Sequence, residues 1–357
     1  MDSARWLTIK AGPAARAALA EGALTPDRIG AVAAAAGGPK WLAIAPFHRT
    51  LFADWLSDAH HLPIVGSSIG AWAGAMACHE DDPAGAIDAL AQRYIAQSYT
   101  EKPDARVITE TLAGILDTAL TDGVRRGILS NPRFDLHVVT CRSKGLAASD
   151  NRLRLGAALG LSAAANLVDR VGLGLAFERV VFARGARELV WANEGFATRT
   201  VALSAANLFD ALFASGNVPM IMNAVHDPAG APAGLYRDGG LTDYHIDQPL
   251  LAPGASAPIV LMPHFEDRLV PGWLDKRLKW RRPRHADHVL MIGPGPAMRE
   301  ALPGGRVPER RDFYRHAGDD ATRQRLWREA MTAGERMRDA FFDLAARDKL
   351  VDHVQPL

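Results

Sequence analysis

The chain has 357 residues, of which 48% are hydrophobic and 23% charged, so it is long and apolar enough to bury a large core. This composition excludes an intrinsically disordered protein and a small scaffold that needs disulfides or metal to fold. The net charge of +1 gives no basic field for nucleic acid, and the two cysteines, Cys78 and Cys141, form no zinc-binding or disulfide pattern. We therefore expect no nucleic-acid partner and no metal.

No segment has the pattern of a targeting or membrane-spanning element. The charged N-terminus lacks a continuous apolar stretch, and the run from Ile64 to Cys78 is shorter than the roughly 18 residues that cross a bilayer. The longer run Leu155–Phe177 is interrupted by Asp169 and Arg170. The sequence predicts a soluble, cytoplasmic protein.

The first eighty residues alternate between strand and helix patterns. The apolar run Ile29–Ala36 predicts a strand, and a glycine loop then leads into helical spacing from Trp41 to Leu56. A second short strand, Leu62–Val65, leads through another glycine turn into a helix-compatible segment, Ala71–Cys78. This alternation predicts a mainly parallel central sheet that is covered on both faces.

Further elements continue the same pattern. Helices are predicted at 13–22, 84–97, 107–128, 205–215 and 319–350, and strands at 135–141, 179–182, 200–203, 258–262 and 288–292. The composition changes sharply nowhere. We therefore expect a catalytic domain over residues 1–300 and a helical C-terminal extension, residues 301–357, packed on the same domain.

The sharpest local motif is a GxSxG sequence formed by residues 66–70. In such a motif the central serine, here Ser68, lies on a tight strand-to-helix turn with its hydroxyl exposed above the sheet. Gly66 and Gly70 leave room for the neighbouring strand and helix. The pattern predicts a serine nucleophile, and the alternative is a small-residue turn without chemistry.

A nucleophilic serine also needs hydrogen-bond donors for the developing oxyanion. The loop after the first strand places Gly37 and Gly38 in order before Lys40, and backbone N–H groups of this loop, together with that of Ile69, are the candidate donors. Lys40 adds positive charge near them. An ordinary glycine turn is the alternative interpretation of this loop.

The residues alone do not decide which side chain is the base that activates the serine. His264 follows an apolar strand, and His245 and His226 lie in the same part of the chain, so a Ser-His-Asp triad is one option. The other is Asp238, which is followed by Gly239 and Gly240 and can therefore approach another loop closely.

Four motifs in this order resemble the patatin-like phospholipase family. Residues 36–41 match its glycine-rich loop in two glycines and the basic residue, with alanine and tryptophan in place of the outer glycines. The GxSxG motif matches fully, Asp238 begins the family's Asp-Gly-Gly motif, and residues 214–219 match its Ala-Ser-x-x-x-Pro segment. The resemblance implies a three-layer α/β/α patatin-like fold with a C-terminal helical tail.

The resemblance also implies a mechanism. Ser68 and Asp238 form a dyad without histidine, the enzyme hydrolyses carboxylic esters of lipids through an acyl-enzyme, and neither metal nor cofactor takes part. The implied activities are phospholipase A, lysophospholipase or carboxylesterase. The alternatives are a Ser-His-Asp esterase and a lipid-binding protein that has lost turnover.

Two segments are candidates for contact with lipid. Residues 273–284 hold six basic side chains flanked by Trp273 and Trp280, a pattern that suits peripheral contact with a membrane; a solvated basic segment is the alternative. The apolar run Leu153–Phe177 predicts a core helix or, alternatively, a helical cover over an acyl-binding groove.

Overall fold

The computed structural model describes residues 3–99, 103–185 and 189–357, which form a mixed α/β fold around one large sheet. The α-helices are α1 Pro13–Glu21, α2 Ala45–Thr50, α3 Ile69–Ala77, α4 Pro83–Ala96, α5 Ala105–Ala119, α6 Asp122–Ser130, α7 Arg152–Val168, α8 Leu208–Ser215, α9 Pro296–Ala301, α10 Asp312–Arg315 and α11 Asp320–Ala346. The strands are β1 Leu7–Ala11, β2 Ile29–Ala34, β3 Leu62–Ser67, β4 Phe134–Ser143, β5 Phe177–Ala183, β6 Thr198–Ala202, β7 Val225–His226, β8 Leu235–Asp238, β9 Ile259–Pro263, β10 Val289–Pro294 and β11 Val354–Pro356.

The central sheet is mainly parallel, which confirms the predicted fold class. Its strand order is β11-β1-β10-β9-β2-β3-β4-β5-β6, and β8 pairs with β4 off this path. The pairs from β10 through β9, β2 and β3 to β4 are all parallel, whereas β1 with β10 and β4 with β5 are antiparallel. Strands buried on both faces explain the continuous apolar runs in the sequence.

Successive side chains of the central strands enter two different core clusters. In β2, Val32 packs with the helices on one face, whereas Ala31 and Ala33 point to the other face. That second face is covered largely by irregular chain between residues 243 and 286. The layer on this side could not be read from helical periodicity, because little of it is helical.

The C-terminal helix α11 packs on the helical face and carries Trp327, Met337 and Phe341 into the main core. It approaches the chain closely at Gly334, where a Cβ atom would lie 2.2 Å from the carbonyl oxygen of Ala43. Asp319 caps its N-terminus by accepting a hydrogen bond from the Thr322 N–H. The predicted tail helix is therefore present, and it is integrated into the core.

Two predicted helices differ from the structure. The segment predicted as one helix over 107–128 forms two helices. Helix α5 ends at Ala119, and Thr121 caps the N-terminus of α6, so the helical path is interrupted between them. The prediction of a core helix in the run Leu153–Phe177 is wrong in part. Helix α7 buries only one side, and its other side is exposed although it is apolar. Among the described helices, none is both long and apolar enough to cross a membrane.

Candidate active site

Ser68 lies on the sharp turn between β3 and α3, with backbone angles φ 55° and ψ −130°. This strained conformation for a non-glycine residue is typical of a nucleophile held at the end of a strand. A Cβ atom at Gly66 would lie 2.6 Å from the Ala71 nitrogen, and one at Gly70 would lie 2.2 Å from the Ala34 carbonyl oxygen. Both glycines of the motif are therefore required by close backbone packing.

The register of the sheet brings the serine and the aspartate together. Strands β3 and β8 pair with the same side of β4, one parallel and one antiparallel, so that their C-terminal ends meet. Ser67 lies opposite Val139 and Asp238 lies opposite Thr140, the next residue of β4. As a result, Ser68 Oγ donates a hydrogen bond to Asp238 Oδ2 at 3.0 Å.

The glycines after the aspartate allow this approach. A Cβ atom at Gly239 would lie 2.0 Å from the carbonyl oxygen of Val139, so only glycine fits against β4 there. The N–H of Gly240 donates to Asp238 Oδ1 at 2.7 Å. Each carboxylate oxygen of Asp238 thus has one donor, and the side chain is fixed in orientation.

Burial sets the electrostatics of the carboxylate. Asp238 is only 8% exposed, and this desolvation raises its pKa to about 6, against the opposing effects of the Gly240 and Ser68 hydrogen bonds and of the Arg310 and Lys276 charges. A carboxylate with a pKa just below neutrality is mostly ionised at pH 7 and is a stronger base than an ordinary aspartate.

Ser215 and Asn217 hold both reacting residues through the backbone. The Ser68 N–H donates to Ser215 Oγ at 2.9 Å, and the Ser215 hydroxyl donates to the Val139 carbonyl at 2.7 Å. The Asp238 N–H donates to the Asn217 carbonyl at 2.9 Å. Ser215 and Asn217 belong to the Ala-Ser-x-x-x-Pro segment, whose role the sequence did not predict and which positions the site in the structure.

Each of the three candidate oxyanion donors lines a cavity that Ser68 also lines. Gly37 and Gly38 belong to the loop after β2, and Ile69 is the first residue of α3. Among the described residues, nothing accepts a hydrogen bond from the N–H of Gly37, Gly38 or Ile69. Gly38 adopts φ +56°, a left-handed conformation that favours glycine. These N–H groups are therefore free to bind an anionic oxygen.

The two departures from the family's glycine-rich loop are accommodated in the core. Ala36 is buried, and Trp41 is fully buried with its indole N–H donating to His48 Nδ1 at 3.0 Å. Lys40 forms an ion pair with Glu266 and lies over the Phe265 ring. Its charge is thus balanced close to the loop.

None of the three candidate histidines contacts the serine. His264 and His245 are buried against each other with ring centroids 4.1 Å apart, and burial lowers the pKa of His264 to about 4. His226 is exposed and pairs with Asp150. In the described part of the chain no histidine hydrogen-bonds Ser68, so the geometry favours the aspartate as its partner.

Two cavities meet at Ser68 and form the arms of one site. The apolar arm, of about 380 Å³, is lined by Ile69, Trp72, Ile108, Leu112, Ile221 and Phe313. The cationic arm, of about 290 Å³, contains Asp238 and is lined by Lys40, Lys276, Arg310 and Arg311. Ser68, Gly38, Val218 and Arg310 line both arms.

The two arginines of the cationic arm, Arg310 and Arg311, form no ion pair with any residue that the structure describes, although Glu309 also lines this arm. The Lys276 ammonium lies 3.7 Å from the centroid of the Tyr244 ring; desolvation, followed by the nearby charges of Lys40 and Arg310, lowers its pKa to about 7. Arg310 was not predicted from the sequence, because no local pattern marks a residue that lies more than 70 positions after Asp238.

A comparison with protein families gave one match. The model of the family described as patatin-like phospholipase matches residues 30–245, more than half of the chain. The chain belongs to the patatin-like phospholipase family. A search of curated proteins found no match.

Membership of this family makes the protein one of a group of lipid acyl hydrolases. The patatin-like region contains Ser68, Asp238 and the three candidate oxyanion donors, whereas Lys276, Arg310 and Phe313 follow it. The C-terminal part of the chain therefore completes both arms of the cavity. Among the described residues, no cluster of three or more histidine, cysteine or acidic side chains could hold a metal ion.

Proposed function

We propose that the protein is a serine hydrolase that cleaves carboxylic esters of lipids through a Ser68–Asp238 dyad and an acyl-enzyme. The observation that carries the proposal is the 3.0 Å hydrogen bond from Ser68 Oγ to Asp238 Oδ2 on a strained strand-to-helix turn. Asp238 accepts the serine proton while Ser68 attacks the ester carbonyl. The alcohol leaves with that proton, and a water molecule then hydrolyses the acyl-serine by the same route.

The free N–H groups of Gly37, Gly38 and Ile69 support a role in stabilising the oxyanion. They line the cavity at Ser68, and backbone donors that are preorganised in a buried site cost no reorganisation when negative charge develops. The N–H of Ser68 itself is engaged by Ser215 and is not counted among these donors. Ile69, at the start of α3, also benefits from the helix dipole.

The two arms suggest which end of the ester lies where. The apolar arm suits the acyl chain, and the cationic arm suits an anionic head group on the alcohol side of the ester. Arg310 is our candidate for binding this head group, because it lines both arms and forms no ion pair with a described residue. We therefore favour a phospholipid or lysophospholipid over a neutral ester.

The dyad is tested with Ser68→Ala and Asp238→Asn on p-nitrophenyl esters of increasing chain length. Ser68→Ala is expected to lower kcat/KM at least about 10,000-fold, and Asp238→Asn about 100- to 10,000-fold, since the asparagine is not a base. His264→Ala and His226→Ala are the matched controls and should retain activity if folded. Near wild-type turnover in either dyad variant would refute the proposal.

The head-group assignment is tested with Arg310→Met at pH 8 on two short-chain substrates, a 1-acylglycerol 3-phosphate and the matching 1-acylglycerol. KM for the phosphate-bearing ester should rise roughly ten-fold or more, with little change for the neutral one. Arg277→Met, an exposed cation of the same region outside the cavity, is the control. An equal effect on both substrates would contradict the assignment.

A further inference from the structure

Helix α7 exposes more large apolar side chains than it buries. Its buried side carries Leu155, Ala158, Ser162 and Asn166, and the Asn166 amide donates to Asp275 at 2.7 Å. No charged residue occurs from Leu155 to Val168. We define the α7 surface as the exposed apolar side chains of this helix and the turn after it: Leu153, Leu161, Leu167, Val168, Val171 and Leu175.

This exposure is concentrated and extreme. Leu153 is 85% exposed, Val168 87% and Leu175 72%, and the α7 surface accounts for six of the eleven large hydrophobic side chains that are exposed in the described residues. Single exposed leucines are ordinary, but a contiguous patch of them marks an interaction site.

Unpaired cations flank this apolar surface at both ends. Arg152 and Arg154 are exposed at the start of α7, and Lys279 and Arg282 are exposed near its end. None of these four forms an ion pair with a described residue. Trp280, 65% exposed, lies between the last two in sequence.

The basic segment is fastened to the end of α7 by its other arginines. Arg281 donates to the Asn166 carbonyl, and Arg284 pairs with Asp169 at 3.1 Å. These contacts occupy two of the six basic residues in 273–284 and neutralise the acidic group that ends the helix. The segment that carries Lys279, Trp280 and Arg282 is thereby held against the end of α7.

Helix α7 lies next to the cationic arm. Helix α7 packs on Met220 and Trp273 through its buried side, and Trp273 also lines the cationic arm next to Asp238. A lipid held against α7 would thus be close to the cavity in which we place its head group.

We propose that the α7 surface docks the protein on an anionic lipid bilayer, with its leucines and valines at the acyl boundary and the flanking cations among the phosphates. Helices of this kind lie in the plane of the interface, where basic side chains add attraction to anionic lipid. A second copy of the chain fits less well, because both ends of the surface are basic and either orientation opposes like charges. The benefit to catalysis rests on the proposed function, but the docking itself does not.

The proposal is tested by flotation with vesicles of phosphatidylcholine alone or mixed with phosphatidylglycerol, using Ser68→Ala protein so that lipid is not consumed. Binding to the anionic vesicles is expected to fall at least about ten-fold in Leu161→Glu/Val168→Glu. Val351→Glu, an exposed apolar position in the C-terminal turn, is the matched control. Arg152→Glu/Arg282→Glu should weaken binding to anionic vesicles much more than binding to neutral ones.

Two further measurements make every outcome informative. In protein that retains Ser68, hydrolysis of a soluble p-nitrophenyl ester should be the same with and without the α7 substitutions. Circular dichroism should show that the α7 variants are natively folded. Equal flotation of the α7 and control variants overturns the docking proposal, as does a dimer that the α7 substitutions dissociate. Flotation without any esterase activity would instead overturn the proposed function and leave docking supported.

Discussion

Ester hydrolysis should be lost on the acid side at a pH that is high for a carboxylate base. Burial raises the pKa of Asp238 to about 6, and only the ionised form can accept the Ser68 proton. One unit below this pKa about one tenth of the base remains, so kcat/KM should fall about ten-fold there and ten-fold more for each further unit. An aspartate with an ordinary pKa of about 3.9 would leave activity almost unchanged at about pH 5.

The assay is kcat/KM for a neutral p-nitrophenyl ester across the acid range, because this parameter reports the free enzyme. Circular dichroism at each pH separates titration from unfolding. The Arg310 charge lowers the pKa of Asp238, so Arg310→Met should move the midpoint to higher pH. Burial lowers the pKa of His264 to about 4, below the midpoint expected for Asp238. A midpoint near 4, or one that Arg310→Met leaves in place, would show that a buried Asp238 is not the base.

Other substitutions test how the site is built. Ser215→Ala leaves the buried Ser68 N–H and Val139 carbonyl without this hydrogen-bond partner, which costs about 1–3 kcal/mol of stability for each group. Chemical denaturation should therefore show a lower free energy of unfolding, and kcat/KM should also fall. Unchanged stability would contradict the positioning role. Gly70→Ala places a Cβ atom 2.2 Å from a backbone oxygen and should abolish soluble folded protein, whereas Gly160→Ala, with open space at its Cβ, should stabilise α7 by about 1 kcal/mol in thermal melts. Soluble, native-like Gly70→Ala protein would show that the turn is not as tight as the structure has it.

The local sequence was sufficient to predict the nucleophile, but it was not sufficient to predict the base. The turn around Ser68 is specified by residues within two positions of it, so its motif predicts its geometry. Asp238 is 170 residues away, and its partnership depends on where β3 and β8 end along β4. No pattern in a single sequence encodes that register, and only the resemblance to a family connected the two residues.

The exposed apolar side of α7 shows a second limit of prediction from sequence. Hydrophobic periodicity identifies a helix, but it does not say whether an apolar side faces a core or a surface. The short strands β1 and β11, at one end of the sheet, were not predicted, because a five-residue alternation and a three-residue segment are too short to separate from irregular chain. Arg310 was missed since its position at Gly38 arises from the packing of the C-terminal region.

The dyad is tested most directly by labelling with a fluorophosphonate, which reacts only with an activated serine, followed by mass spectrometry of the intact protein and its peptides. We expect a single adduct on the peptide that contains Ser68, no adduct in Ser68→Ala, and labelling at least about 100-fold slower in Asp238→Asn. An adduct on another residue, no labelling of the wild-type protein, or an unchanged rate in Asp238→Asn would contradict the proposed dyad.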